Sequence, residues 1–337
     1  MKDKMNHQIA KLSIVLTAVF LTASCCSDEP TVPSFPTEQR VPLQLSSVIS
    51  GLTRASGTAW ESTDQIGVFT TLHDAQTATQ HGTAYDANVL YVIDATADGY
   101  NTATEGSLDN AKAFTPSSSP IYLPADGSSV DVYAYHPYVS TITENGVIAV
   151  SVVTASQSLA TVDLMTAKTA STVNPINALN PSAALLFSHR LSKVTVNVTN
   201  GTGYAASEIT NHVSINITGT PNTANYNLYT GTFSSFDTGK ADITLQKQAT
   251  ATSGYLETHS AIILPNETND NAAAAGRTLT FKVGDTANGY YIYTIPADKA
   301  FEKGKNTIYN ITLSPTGLSI TAAIRDWDSI TTSETLK

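Results

Sequence analysis

Two cysteines stand side by side, Cys25 and Cys26, and the chain has no others. No disulfide framework can therefore stabilise the fold, and a bond between the two neighbours would be strained. What precedes them points to a different chemistry. Lys2, Lys4 and Lys11 form a basic segment, and residues 12–23 form an apolar run. Such a run is too short for a bilayer, which needs about 20 residues, but it suits the core of a signal peptide. Thr22, Ala23 and Ser24 supply small side chains before the cysteines. This is the pattern of a lipobox, in which the cysteine is acylated and becomes the first residue of the mature chain. Cys25 is the expected lipid site, with Ala23 and Ser24 in the small positions, and Cys26 is the alternative. One acyl chain holds a protein to a membrane only marginally, so anchoring implies several.

Other reactive side chains are scattered. The histidines are His7, His73, His81, His136, His189, His212 and His259, and none pairs with another at the spacing of a zinc helix. His73, Asp74 and His81 form the one loop cluster with metal-ligating side chains, and a plain polar loop is the preferred reading. Glu61 with Asp64, and Asp326 with Asp328, are close in sequence, but glycosidase carboxylates are defined by separation in space, and both pairs read as turn residues. There is no phosphate loop, nucleophile elbow or dinucleotide fingerprint. No cofactor, no metal and no enzymatic activity are expected. Tyr133, Tyr135, Tyr138, Tyr290, Tyr291 and Tyr293 would suit a glycan-binding face, although alternating tyrosines more often pack sheets.

The elements that must position these residues are strands. Apolar and polar residues alternate at Val41, Leu43, Leu45 and Ile49. Short runs follow at 65–70, 89–93, 121–123 and 130–135. Later ones lie at 193–198, 213–217, 243–245, 261–264, 278–283, 290–295 and 307–313. Asn145-Gly146 lies between two such runs and predicts a hairpin. Helix signals are sparse, with one turn expected in 163–170 and a loop at 271–275. Charged residues make up only 14%, against about 25% in an average soluble chain. Net charge is −10, and −12 without residues 1–24. No basic patch is present, which argues against nucleic acid. No second apolar run is long enough for a membrane helix.

The expected class is all-β, with two β-sandwiches in tandem. Residues 1–24 read as signal peptide and 25–40, rich in Pro and Ser, as a flexible tether. Residues 41–180 read as the first domain and 181–337 as the second. The break is set by the Ser, Thr, Asn and Pro cluster around Pro175 and Pro181.

Several segments resemble one family. Thr53-Arg54-Ala55, Thr58-Ala59-Trp60-Glu61 and Asp64-Gln65-Ile66-Gly67-Val68-Phe69 are similar to the opening of fimbrillin-family proteins, the type V pilus subunits of anaerobic Gram-negative bacteria. Residues 163–167, residues 186–194 with His189, and residues 304–313 with Ile324 and Trp327 resemble later parts of the same pattern. The resemblance implies two transthyretin-like sandwiches and a lipoprotein precursor carried to the outer membrane. It also implies an arginine-specific protease that cuts after the first strand, and a C-terminal strand of another fimbrillin subunit that fills the vacated groove. On this chain the lost strand would be 41–50, with Val41, Leu43, Leu45 and Ile49 as plugs. The cut would fall between Arg54 and Ala55, among small residues. Arg40 is a second arginine, but a cut there would leave the strand in place. The donor would be 318–327, with Leu318, Ile320, Ala322 and Ile324 as its row and Trp327 as an apolar anchor; this segment could equally complete its own sandwich. The function implied is adhesion by a fimbrium, through a host or bacterial surface receptor. A lipid-retaining anchor or tip, or a lipid-anchored glycan-binding protein, are the alternatives. Asp285-Thr286-Ala287 and Asp328-Ser329-Ile330 resemble acceptor patterns for O-glycosylation.

Overall fold

Alternating side chains point to opposite faces of an extended chain, so such runs pair into sheets with a buried face. The computed structural model describes residues 40–49, 60–73, 75, 86–94, 112–157, 159–169, 175–237, 239–266, 277–284, 290–296 and 301–327. Strands dominate them. In chain order come β1 (Gln44–Ile49), β2 (Gln65–Leu72), β3 (Val89–Ile93), β4 (Lys112–Pro116), β5 (Val130–His136) and β6 (Val147–Ser151). A single helical turn, α1 (Leu159–Val162), precedes β7 (Met165–Thr169), β8 (Ser182–His189) and β9 (Ser192–Asn200). After the short α2 (Ala206–Ile209) come β10 (Val213–Thr220), β11 (Thr223–Asn227), β12 (Thr232–Ser234), β13 (Ala241–Thr244) and β14 (Gln246–Lys247). The last are β15 (Glu257–Ile263), β16 (Thr278–Val283), β17 (Tyr290–Thr294), β18 (Lys305–Ser314) and β19 (Gly317–Asp326).

The chain is all-β, with one closed barrel and several open sheets. Strands β1-β4-β3-β2-β5-β7-β8 close into a seven-stranded barrel. Around and beyond it lie a three-stranded sheet β12-β11-β6, a four-stranded sheet β13-β10-β16-β17 and a five-stranded sheet β14-β15-β9-β18-β19. The sequence division at 180/181 falls just before β8, which is a stave of the barrel. Strand β6, from the earlier half, leaves to pair with β11.

Two clusters of buried side chains follow from this. One fills the barrel and includes Leu43, Leu45, Ile49, Trp60, Ile66, Val68, Tyr91, Phe114, Val132, Leu185 and Phe187. The other lies between the remaining sheets and takes in Phe69, Tyr133 and Tyr135 from the outer face of β2 and β5. The Tyr229 ring covers that face, 5.0 Å from Tyr133 and 6.2 Å from Phe69. Residues of β2 and β5 are thus buried on both faces, which explains their nearly continuous apolar runs.

Gly67 shows why one motif residue has its type. A Cβ there would lie 2.1 Å from Tyr135 Cε1. The Tyr135 ring crosses β2 at that point, and its hydroxyl donates to Asn88 Oδ1 at 2.6 Å. Two local expectations fail. Asn145-Gly146 makes a turn, with Gly146 N–H donating to Thr143 O at 3.0 Å, but β6 pairs with β11 and no hairpin forms. The helical turn expected in 163–170 lies earlier, at Leu159–Val162, and Met165–Thr169 is a strand. Residues 271–275 lie outside the described residues.

Candidate functional site

The first strand enters the barrel through a backbone clamp. Leu43 N–H donates to Ile121 O, Leu123 N–H to Val41 O and Gln44 N–H to Pro181 O, each at 2.9 Å. Pro42, which has no N–H to give, sits before the strand and makes a lone bridge with Tyr122. The Arg40 guanidinium lies 5.4 Å from the Tyr122 ring centre. Strand β1 then runs antiparallel to β4 over three residues and parallel to β8 over six, from Gln44–Ser182 to Ile49–Phe187. It is the stave that joins β4 to β8 and closes the barrel.

The residues expected as plugs do point inward. Leu43, Leu45 and Ile49 are buried and Val41 is half-buried against the same cluster. Beside them Trp60 packs edge-on against Phe114, Phe187 and His136 at 4.9–5.4 Å. Full burial of one Leu or Ile side chain is worth about 1.5–3 kcal/mol, so the three plugs contribute about 5–9 kcal/mol. That is on the scale of the whole stability of a domain, about 5–15 kcal/mol. A barrel without β1 would need another occupant in its place.

One member of the inward row is polar and escapes a search for alternating apolar residues. Ser47 is fully buried (0% exposed), and its hydroxyl has no hydrogen-bond partner among the described residues. The signal for it is the period of two itself, which runs through position 47 whatever residue stands there.

Cys25, Cys26, Arg54 and Ala55 lie outside the described residues, as do Asp74, His81, Thr286 and Ser329. In sequence, Arg54 falls between the end of β1 and Trp60.

At the other end of the chain, β19 pairs along all ten residues with β18 and with no other described strand. It is the edge of the five-stranded sheet. Leu318 and Ile320 pack half-buried on the core, while Ala322 and Ile324 are exposed, Ile324 by 47%. Trp327 anchors the strand end. Its ring is stacked on His189 with centroids 4.4 Å apart, its backbone N–H donates to Gly304 O at 3.0 Å, and Lys193 Nζ lies 5.9 Å from its ring centre. His189 Nδ1 in turn lies 2.7 Å from Asp163 Oδ2. Three residues far apart in sequence thus meet where the barrel joins the five-stranded sheet. Nearby, Lys305 and Asp326 form an ion pair.

Further buried polar groups are structural. The Glu257 carboxylate is buried, which pushes its pKa up. Lys247 Nζ at 2.6 Å, His259 Nε2 at 2.8 Å and the Asn211 N–H outweigh this and hold it below the usual carboxylate range. Residues 257 and 259 share a face of β15, and that period-two spacing is the signal of the pair in the sequence. Arg277 is fully buried, with Nη1 donating to Asn266 Oδ1 at 2.8 Å and its guanidinium 5.3 Å from the Phe301 ring centre. Burial lowers its pKa to about 10. Burial likewise raises the Tyr91 hydroxyl to about 12. His73 Nδ1 lies 2.8 Å from the buried Asp131 carboxylate. Glu61 N–H donates to Asp64 Oδ2 at 2.8 Å, a turn contact, whereas Asp326 ends a strand. Tyr133 and Tyr135 are buried and cannot line a glycan-binding face. Among the described residues no group of three His, Cys, Asp or Glu side chains could hold a metal. None of their helices is long and apolar enough to cross a membrane.

A family profile described as fimbrillin-like matches residues 53–327. The chain belongs to the fimbrillin-like family. A protein of Bacteroides uniformis named as a proposed fimbrium subunit, Fim1C, is 29% identical over 324 residues, covering 94% of each chain. A solved structure of a proposed cell adhesion protein from Bacteroides uniformis is 27% identical. It aligns with a TM-score of 0.63 over 87% of this chain and 99% of that one. A second, from Bacteroides ovatus, shares the fold with a TM-score of 0.60 at 20% identity, over 87% of this chain and 99% of that one. This fimbrillin-like chain is a fimbrial or adhesion surface subunit. Its family is one of structural fimbrial and adhesion proteins.

Proposed function

We propose that the chain is a pilus subunit exported as a surface lipoprotein, acylated on Cys25 or, alternatively, Cys26. An arginine-specific protease cuts between Arg54 and Ala55 and releases the lipidated N-terminus together with β1. A C-terminal strand of another fimbrillin subunit then fills the slot between β4 and β8, and the filament serves adhesion. On this reading the barrel and the facing sheets beyond it correspond to the two transthyretin-like domains of the family. The outer membrane is the precursor's address, and the anchor is temporary.

The observation that carries the reading is the position of β1. It closes the barrel with three buried side chains, yet it is the first described strand of the chain. One cut between Ile49 and Trp60 therefore severs its covalent link to the other staves. Backbone ladders on both sides of the emptied slot would supply affinity to an incoming strand, and pockets for alternate side chains would supply selection. N-terminal sequencing of filaments sheared from cells tests this. A start at Ala55 is expected. Intact Cys25-lipidated chains with no Ala55 start would sink the polymerising reading.

A second reading is favoured by one contact. The Trp327 ring on His189 holds β19 in its own sheet, as a subunit that donates no strand would require. Such a subunit would keep its lipid as an anchor, or stand at the tip. Deleting residues 318–337 would then leave filament growth from the base unchanged.

A further inference from the structure

Beyond its structural role, the Glu257 cluster brings complementary chemistry to one point. Lys247 Nζ lies 2.5 Å from Asn211 Oδ1 and 2.6 Å from Glu257 Oε1. An amine, a carboxamide and a carboxylate in mutual contact are the complete set of groups for making an amide bond between two side chains. The amine is the nucleophile, the carboxamide carbon is the electrophile, and the carboxylate carries protons. Nothing else is consumed.

The fold brings each group from a different element. Glu257 opens β15 and is buried. Its Oε2 accepts from His259 Nε2 at 2.8 Å. His259 Nδ1 has no partner among the described residues, so the ring carries its hydrogen on Nε2 and fixes that oxygen. Oε1 is left for Lys247 and for the Asn211 N–H. Lys247 lies on β14 directly opposite His259, on the face that Glu257 and His259 share. Asn211 stands between α2 and β10 with a φ of 65°, a left-handed backbone that asparagine adopts more readily than most residues. One carboxylate oxygen thus holds both reactants, the ammonium of one and the backbone of the other. Asn211 Cγ can lie no more than about 3.7 Å from Lys247 Nζ, given the length of a carbonyl bond. That is close to the separation from which a held nucleophile attacks. Lys247 is 39% exposed, so released ammonia has a way out.

We propose that Lys247 and Asn211 become joined by an intramolecular amide bond, with Glu257 as the proton carrier. Glu257 is ionised at neutral pH, its pKa lying below the usual carboxylate range, and takes a proton from the Lys247 ammonium. The freed lone pair on Nζ forms a bond to Asn211 Cγ, and the carbonyl π pair moves onto Oδ1. Glu257 gives its proton to Nδ2. The Cγ–Nδ2 bond breaks, its electron pair leaves with the nitrogen as ammonia, and the pair on Oδ1 restores the carbonyl. The extra proton on Nζ passes through Glu257 to the ammonia, which departs as ammonium. Glu257 ends as it began, and the event happens once per chain.

The bond ties β14, in the five-stranded sheet, to the turn that feeds β10, in the four-stranded sheet. It closes residues 211–247 into a ring and restrains the unfolded chain as a disulfide would. The chain has no cysteine beyond Cys26, so no disulfide can make that tie. The proposal holds whether or not subunits exchange strands.

The test is peptide mass mapping of the full chain after trypsin. The unreacted chain is cut after Lys193, Lys240, Lys247 and Arg277, giving residues 194–240, 241–247 and 248–277. An acylated Lys247 is no longer a site for trypsin. Residues 194–240 are then expected joined to 241–277, lighter than the two together by one ammonia, about 17 Da. The chain is mapped as isolated from the cell surface and again after long incubation at neutral pH. If residues 241–247 and 248–277 are recovered only as separate peptides both times, the proposal is wrong. Lys247→Arg and Asn211→Gly should each abolish the joined peptide, with the strand signal in circular dichroism unchanged. Asn211→Gly keeps the left-handed backbone and its N–H. A joined peptide in either variant would place the bond elsewhere and overturn the assignment. Glu257→Gln should slow the joining at least about a hundredfold. Joining at the parent rate in a folded Glu257→Gln chain would remove Glu257 as the proton carrier.

Discussion

The indole of Trp327 lies flat on the imidazole of His189, with ring centres 4.4 Å apart and planes 3° from parallel. His189 ends β8, a stave of the barrel, and Trp327 follows β19, the edge of the five-stranded sheet. The contact therefore ties the last described residue of the chain to the strand that flanks β1. Asp163 holds the same imidazole through its Nδ1. The pair is a fastening whose strength can be measured.

Trp327→Ala should remove most of that fastening. A buried Trp→Ala change costs about 3–5 kcal/mol. The expected result is a lower Tm, with faster amide hydrogen exchange concentrated in Gly317–Asp326 rather than in β2 and β5. Exchange that rises equally in all strands would show that the indole serves global packing and not the retention of β19.

Gly67→Ala should be among the more damaging single-methyl changes in the chain. The new Cβ would overlap the Tyr135 ring, and moving that ring breaks its hydroxyl bonds to Asn88 and Val139. Overpacking of this kind costs about 1–3 kcal/mol, and a lost buried hydrogen bond adds about 1 kcal/mol. Urea unfolding should show a reduced midpoint with an unchanged slope. Gly67→Ala combined with Tyr135→Phe, which keeps the ring, should not recover stability, whereas Tyr135→Leu in its place should recover part of it.

Acid should weaken the C-terminal sheets through Glu257. Burial raises its pKa, but Lys247, His259 and the Asn211 N–H lower it further, so the folded value lies below the ordinary value of 4.5. A carboxylate whose folded pKa is depressed contributes stability above its unfolded pKa, and that contribution is lost as pH falls through the folded value. Stability should therefore decline as pH drops from about 4.5. Glu257→Gln should lower stability at neutral pH by about 1–3 kcal/mol, discounted because Lys247 is partly solvated. It should also flatten the acid limb of a Tm-against-pH curve. An unchanged acid limb would assign that dependence to other carboxylates.

Arg277 should behave in the opposite way. Its guanidinium is fully buried, only Nη1 has a hydrogen-bond partner among the described residues, and the charge is dehydrated enough to lower its pKa to about 10. A buried charge with few partners is often replaced without loss by an apolar side chain of similar volume. Arg277→Met should leave stability within about 1 kcal/mol of the parent or raise it. Arg277→Ala should lower it by about 2–5 kcal/mol through the cavity left beside Phe301. Chemical denaturation of the two variants side by side separates charge from volume.

Local repetition is what the sequence makes legible. The period-two rows of β9, β16 and β18 announce themselves as strands, and so does the inward row of β1 apart from Ser47. That serine reads as a gap because alternation is judged by apolar residues, while burial is decided by the strand's neighbours. Pairings between distant segments are hidden. Nothing near Asn145-Gly146 indicates that β6 will pair with β11, so the local turn suggests a hairpin that does not form. Met165–Thr169 reads as readily as a helical turn as a strand, because five residues carry too little periodicity to choose. Trp327 is legible as an anchor, but its contact with His189 and Asp163 is not, because that site is assembled by the closure of the barrel against the last sheet. For the same reason Arg277 leaves no mark beyond its residue type, and the Glu257 cluster none beyond the period-two spacing of Glu257 and His259.

The parallel ladder between β1 and β8 has a mechanical consequence. A strand in that slot is bonded along both sides, to β4 and to β8. Tension along its axis strains the bonds of both ladders together, in shear, and they must fail nearly at once. Among the described strands β19 is bonded along one side only, to β18. Once Trp327 has left His189, β19 peels away from that end one rung at a time, so the force is that of a few bonds and not of a whole ladder. Strand geometry alone thus makes β1 hard to drag out of the barrel along its axis and β19 easy to unzip from its sheet.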